Sequence, residues 1–144
     1  MCSIRILVVD DHEVVRRRFC SLLQSKPSFE IVGEAFDGIE GVSQSKNLQP
    51  DVVILDISMP RLSGLEAAPK IRQVAPEAEI LFVSQLDSPS VIREALSTGA
   101  RGYVLKSDAA KDLVDAVLAV SQKITFVSGR LHHSVAVPRR PNVG

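Results

Sequence analysis

The chain has 144 residues, the length of one domain, and its 45% hydrophobic content is enough to bury a single core. It has no Trp, one Tyr and five Phe, so Val, Ile, Leu and Ala must build most of that core. A formal net charge of zero excludes any whole-molecule attraction to DNA or anionic membrane, and no apolar run approaches the roughly 20 residues that a membrane span needs.

Strand and helix signals alternate five times along the chain. Ile6–Val9 is a continuous aliphatic run, as expected of a strand buried on both faces. Val14, Val15, Phe19, Leu22 and Leu23 then recur at helical spacing until Lys26-Pro27 ends the helix. A second strand covers Phe29–Ala35, and Asp37-Gly38 turns the chain into a helix that runs to about Leu48. Gln49-Pro50-Asp51 breaks it, and Val52–Leu55 is a short, wholly apolar strand suited to the middle of a covered sheet. A helix around Leu65–Val74 follows, with Pro69 expected to kink it or mark its first turn. Ile80–Val83 is the fourth strand, Val91–Leu96 the fourth helix, Tyr103–Leu105 the fifth strand and Leu113–Val120 the fifth helix.

This rhythm implies βαβ units with right-handed crossovers. The expected fold is a doubly wound, flavodoxin-like α/β domain with a five-stranded parallel sheet in the order 2-1-3-4-5 and helices on both faces. The domain should occupy residues 1–123. Beyond it the rhythm is lost, so 124–144 is expected to be a linker or basic tail. The charges divide at the same place. Through Lys123 there are 14 Lys/Arg against 17 Asp/Glu, whereas the remainder holds Arg130, Arg139 and Arg140 and no acid.

In an open parallel sheet, ligands bind beyond the carboxyl ends of the strands, at the point where strand order reverses. Asp10 and Asp11 follow strand one and Asp56 follows strand three, so the fold should bring three carboxylates together. Such a cluster needs a cation to stay ionised, and a hard divalent ion such as Mg²⁺ suits oxygen ligands. Ser84 ends strand four with a hydroxyl and Lys106 follows strand five with an ammonium. A cation-bound acceptor, a donor and a positive charge are the equipment for receiving and holding a phosphoryl group.

Ile-Leu-Val-Val-Asp-Asp-His (6–12), Leu-Asp-Ile-Ser-Met-Pro-Arg-Leu-Ser-Gly (55–64), Val-Ser (83–84) and Gly-Tyr-Val-Leu-Lys (102–106) resemble the motifs of response-regulator receiver domains. The resemblance runs from about Ile4 to Val120, and its flavour is that of receivers from LuxR-type transcription factors. It implies a switch in two-component signalling that is not a classical enzyme, with only weak self-phosphorylation and autodephosphorylation chemistry. Asp56 would accept a phosphoryl group from a histidine kinase. Asp10, Asp11, Asp56 and the backbone carbonyl of Ser58 would hold Mg²⁺. Lys106 would pair with the phosphoryl oxygens, Ser84 would move to bond them, and Tyr103 would turn inward behind it. Phosphorylation is expected to alter self-association through the helix 4–strand 5–helix 5 face. DNA contact is expected only through a C-terminal domain absent from this chain, which reads either as a piece of a longer regulator or as a receiver with a basic tail.

Blander readings stand beside these. Asp11 alone suits a helix N-cap, Ser84 is a common strand ending, and Tyr103 could simply cover the sheet edge. The Arg16–Arg18 run reads as a solvated helix face, with proximity to a kinase-docking surface as its functional alternative. His12, His132 and His133 lack a third ligand at workable spacing and read as solvent-facing. Cys2 and Cys20 are expected to be free thiols, and with no signal-peptide pattern the protein is expected to be cytoplasmic. Two departures from the family pattern stand out. Gln85 follows Ser84 where a small residue is common, and its bulk is expected to narrow access to the phosphoryl group. Ser107 replaces a frequent proline, so no cis peptide is expected there. Mg²⁺-dependent phosphohydrolases also use a strand-end aspartate, but they carry a second acid two residues later, where this chain has Ser58.

Overall fold

The computed structural model describes residues 3–128. Its elements run β1 (Ile4–Val9), α1 (Glu13–Gln24), β2 (Phe29–Ala35), α2 (Gly38–Leu48), β3 (Val52–Leu55), α3 (Gly64–Val74), β4 (Glu79–Ser84), α4 (Pro89–Ser97), β5 (Gly102–Leu105), α5 (Ala109–Ser121) and β6 (Phe126–Val127). A single 3-10 turn, Lys106–Asp108, joins β5 to α5. The sheet is parallel throughout, in the order β2-β1-β3-β4-β5-β6.

Side chains alternate across the pleat, so each inner strand feeds two cores. Leu7 and Val9 of β1 join Val53, Leu55, Ile80 and Phe82 on one face, under Ala67, Ala68 and Ile71 of α3 and Ile92 and Ala95 of α4. Ile6 and Val8 join Val52, Ile54, Leu81 and Val83 on the other, under Phe19 and Leu23 of α1 and Leu113, Val117 and Val120 of α5. Burying one such aliphatic side chain contributes about 1.5–3 kcal/mol. Because β1 and β3 lie side by side, with Val9 opposite Leu55, the residues that follow both strands emerge at the same edge.

Helix boundaries have local causes. Ser63 caps α3 and forms a reciprocal capping box with Glu66. Asp37 caps α2 by accepting the Glu40 N–H at 2.7 Å. Gln49, left-handed at φ 48°, closes α2, and its side-chain amide donates to Lys46 O and Val74 O. Pro69 lies inside α3, which continues through it.

Three expectations need correction. Val14 shares the helical spacing of the apolar stripe in α1, yet it is 82% exposed. It stands in the first turn, beyond the reach of the sheet, while Phe19, Cys20 and Leu23 carry the packing. Second, the sheet has six strands. Phe126 and Val127, placed by sequence within the 124–144 linker, pair with Gly102 and Tyr103. Two residues are too few for periodicity to show. The ordered sheet therefore passes the expected boundary at 123, while residues 129–144, with His132, His133 and the terminal arginines, lie outside the described residues, as does Cys2. Third, Arg16 is not a solvated residue, for reasons given by the site. Cys20 is buried and free, and burial foremost pushes its thiol up to about 11. Every peptide bond among the described residues is trans, and none of their helices is long and apolar enough to cross a membrane.

Candidate functional site: a carboxylate cluster at the strand ends

Asp10 leaves β1 with its amide donating to Ala35 O and its carboxylate Oδ1 accepting the His12 N–H at 2.8 Å. Asp56 leaves β3 with its amide donating to Val9 O, which ties the two acids to adjacent strands. Both side chains are almost wholly buried, at 1% and 2% exposure, and Asp11 is half-buried. The helix that follows β1 is capped by His12, without a side-chain bond, so Asp11 does not serve as its N-cap.

Lys106 reaches the cluster from the end of β5. Its Nζ donates to Asp56 Oδ2 at 3.0 Å and lies 3.0 Å from Asp10 Oδ2. Burial would lower the Lys106 ammonium, but the two carboxylates outweigh it and the pKa is raised. The Asp56 carboxyl is also raised, by burial first and then by the charge of Asp10, against hydrogen bonds from Lys106 and the Ile57 N–H.

Asp10 Oδ2 and Asp11 Oδ1 are buried oxygens that accept no well-aligned hydrogen bond, and Asp10 Oδ2 has only the Lys106 ammonium, shared with Asp56, at 3.0 Å. Such groups are expensive unless something charged completes them. One ligand atom each from Asp10, Asp11, His12 and Asp56 lies within 4.8 Å of the others. The all-oxygen set of Asp10, Asp11 and Asp56 fits a divalent cation of the Mg²⁺ kind. His12 was read from sequence as solvent-facing and is indeed 62% exposed, yet its Nδ1 stands 3.2 Å from Asp11 Oδ1.

The loop after Asp56 is held at both ends. Gly64 begins α3 directly against the Asp56 carbonyl, where a Cβ would collide with backbone, and its amide donates to Ile57 O. Arg61, left-handed at φ 68°, donates through Nη1 to the buried Asp37 Oδ2 at 2.6 Å. The Glu40 amide first, and Arg61 as well, hold the Asp37 carboxyl below its ordinary range. Ser58 lies exposed in this loop.

Ser84 and Tyr103 meet at a different point. Ser84 Oγ accepts the Leu86 N–H at 3.2 Å, and the Tyr103 hydroxyl donates to Leu86 O at 2.6 Å. Both are fully buried, and the Tyr103 ring is tilted against Phe82. Tyr103 points inward with no phosphoryl group present, because the loop after β4 offers its hydroxyl an acceptor. Burial is the main cause that raises its phenol to about 12. Gln85 is exposed.

Sequence reasoning missed two supports. Arg16 is only 13% exposed, and it bonds both Glu34 and the Asp10 carbonyl. The helical periodicity of α1 could have placed Arg16 on the side facing β2, since it lies one turn before Cys20. Ser128, beyond the expected boundary, is fully buried and accepts the Leu105 N–H at 3.1 Å. No periodic signal marks it.

The family profile described as the response regulator receiver domain matches residues 6–118, most of the chain. The chain belongs to that family. This receiver is 34% identical over 133 residues to the transcriptional regulatory protein DegU of Brevibacillus brevis, a match spanning 92% of the receiver and 56% of DegU. It is also 34% identical to the transcriptional regulatory protein LiaR of Bacillus subtilis, over 83% of this chain and 56% of LiaR. The chain thus spans little more than half the length of these curated relatives. Among solved structures, a two-component response regulator of the LuxR family from Aurantimonas superposes with a TM-score of 0.87 at 32% identity, covering 91% of this chain and 94% of that one. The signal receiver domain of NarL from Mycobacterium tuberculosis gives 0.81 at 33% identity, covering 85% and 98%. The chain is accordingly a receiver domain of the kind found in two-component response regulators.

Proposed function

We propose that Asp56 accepts a phosphoryl group from a histidine kinase and that the receiver thereby controls an output, transcription in a longer parent protein. One observation carries this reading. Asp56 and Asp10, both buried, share the single ammonium of Lys106 at 3.0 Å, and one ligand atom each from Asp10, Asp11 and Asp56 lies within 4.8 Å of the others.

In the transfer, a carboxylate oxygen of Asp56 forms a bond to phosphorus. The nitrogen–phosphorus bond of the donor phosphohistidine breaks, and the imidazole leaves with the bonding pair. The residues' tasks follow from their places. Asp10, Asp11, Asp56 and the Ser58 carbonyl would hold Mg²⁺, which when bound supplies the positive charge that lets clustered acids and phosphoryl oxygens coexist. Lys106, fixed at the Asp56 carboxylate, is placed to pair with an incoming phosphoryl oxygen. Burial of Asp56 keeps bulk water from the acyl phosphate.

Ser84 and Tyr103 form the switch in this reading. Their shared partner is Leu86 in the β4–α4 connection, so a Ser84 hydroxyl drawn toward the phosphoryl group gives up the Leu86 N–H and repositions that connection. The same face, α4–β5–α5, is the expected site of self-association. Gln85 is exposed immediately after Ser84, and its bulk there would narrow access to the phosphoryl group. Phosphohydrolase chemistry on external substrates is disfavoured, because Ser58 cannot act as the general acid such enzymes place two residues after the nucleophile. Incubation with Mg²⁺ and acetyl phosphate tests the reading: the wild-type chain should gain one phosphoryl mass, and Asp56→Asn should gain none. Equal labelling of both would refute it.

A further inference from the structure

Arg16 stands on α1, within a run of three arginines, but its side chain folds back toward the strand ends. Its Nη1 donates to the Asp10 carbonyl at 2.8 Å and its Nε to Glu34 Oε1 at 2.9 Å. The side chain is 13% exposed, whereas Arg17 is 69% exposed and reaches Glu34 only at 3.6 Å. Glu34 belongs to β2, opposite Val8 of β1, and its own carbonyl accepts the Gln44 side-chain amide at 2.7 Å.

The Asp10 carbonyl lies beyond the end of β1, where no ladder bond serves it, and Arg16 supplies the missing donor. Asp10 is then fixed at four points: its amide by Ala35 O, its carbonyl by Arg16, its Oδ1 by the His12 N–H and its Oδ2 by the Lys106 ammonium at 3.0 Å. A guanidinium so close to a cation site would by itself oppose cation binding. Glu34 cancels that charge while orienting the planar fork. A lysine could not hold both acceptors with the same geometry.

We propose that Arg16 and Glu34 are positioning residues for the Asp10–Asp11 metal site, acting as a nearly charge-neutral brace that fixes the turn carrying both acids. This rests on the reading of Asp10 and Asp11 as Mg²⁺ ligands. Partners behind metal ligands set metal affinity because they restrict where the ligands can point, and losing one costs about 10–100-fold.

The test is Mg²⁺ titration of the full chain by calorimetry, comparing wild type with Arg16→Met/Glu34→Gln. This double variant removes one charge of each sign, so the net charge is unchanged. The expected result is Mg²⁺ affinity about tenfold weaker or worse. Phosphorylation by acetyl phosphate should be slowed at limiting Mg²⁺ and restored at saturating Mg²⁺, which a general loss of structure would not produce. Arg16→Lys retains the charge and one donor, should give an intermediate affinity, and decides the matter if the double variant fails to fold. Affinity within twofold of wild type in a folded variant overturns the brace. Wild type that binds no Mg²⁺ would instead overturn the metal reading on which the brace rests.

Discussion

Lys106 donates to Asp56 across 3.0 Å, although fifty positions separate them in the chain. The contact exists because β5 and β3 end at the same edge of the sheet with only β4 between them. The same ammonium also faces Asp10, so it is the described counter-charge to two buried acids.

Lys106 should therefore do two opposed things. It stabilises the metal-free fold, and it competes with Mg²⁺ for the same carboxylates. Lys106→Met should lower metal-free stability by about 1.5–3 kcal/mol, the range for a lost hydrogen bond to a charged group. The same variant should bind Mg²⁺ more tightly than wild type. Chemical denaturation in chelator and Mg²⁺ titration separate the two effects.

Asp56 has a raised pKa, chiefly through burial and then through Asp10. A carboxyl raised in the folded state contributes stability below its unfolded value near 3.9, and that contribution is lost as pH rises through the folded value. Without metal, ionisation of Asp56 is thus a burden on the fold. Asp56→Asn should melt a few degrees higher than wild type in chelator at pH 7, and the difference should shrink in acid. Added Mg²⁺ should reverse the order by stabilising wild type through binding. A melt series over pH, with and without Mg²⁺, reads all three outcomes.

Ser128 holds the last described part of the chain to the sheet. Its amide donates to Tyr103 O at 3.0 Å and its hydroxyl accepts the Leu105 N–H. Ser128→Ala leaves a buried N–H unpaired beside Lys106, at a cost of about 1–3 kcal/mol. Ser128→Thr, which keeps the hydroxyl, should cost less if its methyl group is accommodated. Urea unfolding followed by the emission of Tyr103, the single tyrosine in a chain without Trp, measures both.

Self-association through the α4–β5–α5 face must use the helix surfaces and not the free edge of β5, because β6 already pairs with that edge. With the phosphoryl mimic beryllofluoride and Mg²⁺, sedimentation should show a larger mass than without them. An unchanged mass at micromolar concentrations would count against association by this face.

The layout of the site was legible because its parts follow strands, and strands announce themselves. Ile6–Val9 and Val52–Leu55 are unbroken aliphatic runs, so the sequence alone puts the acids after them at one edge. The fold followed from the same alternation, and the observed order β2-β1-β3-β4-β5 agrees with it. What escaped depends on contacts between distant residues. Arg16 sits in a charged run whose composition suggests solvent, and its two acceptors, Glu34 on β2 and the Asp10 carbonyl, are brought to it by the fold. Arg61 bonds Asp37 through a left-handed backbone that its sequence neighbours do not signal. Phe126–Val127 is too short to carry a period. Val14 shows the converse error: helical spacing places a residue on a stripe, but not within reach of the core.

The central claim is that Asp56 is the phosphoacceptor. The most direct measurement treats the Mg²⁺- and acetyl-phosphate-loaded chain with borohydride, which reduces an acyl phosphate to homoserine at the modified residue, followed by peptide sequencing in the mass spectrometer. The account predicts homoserine at position 56 and at no other acid. Homoserine at Asp10 or Asp11, or none at position 56 in a chain that has gained a phosphoryl mass, would contradict it.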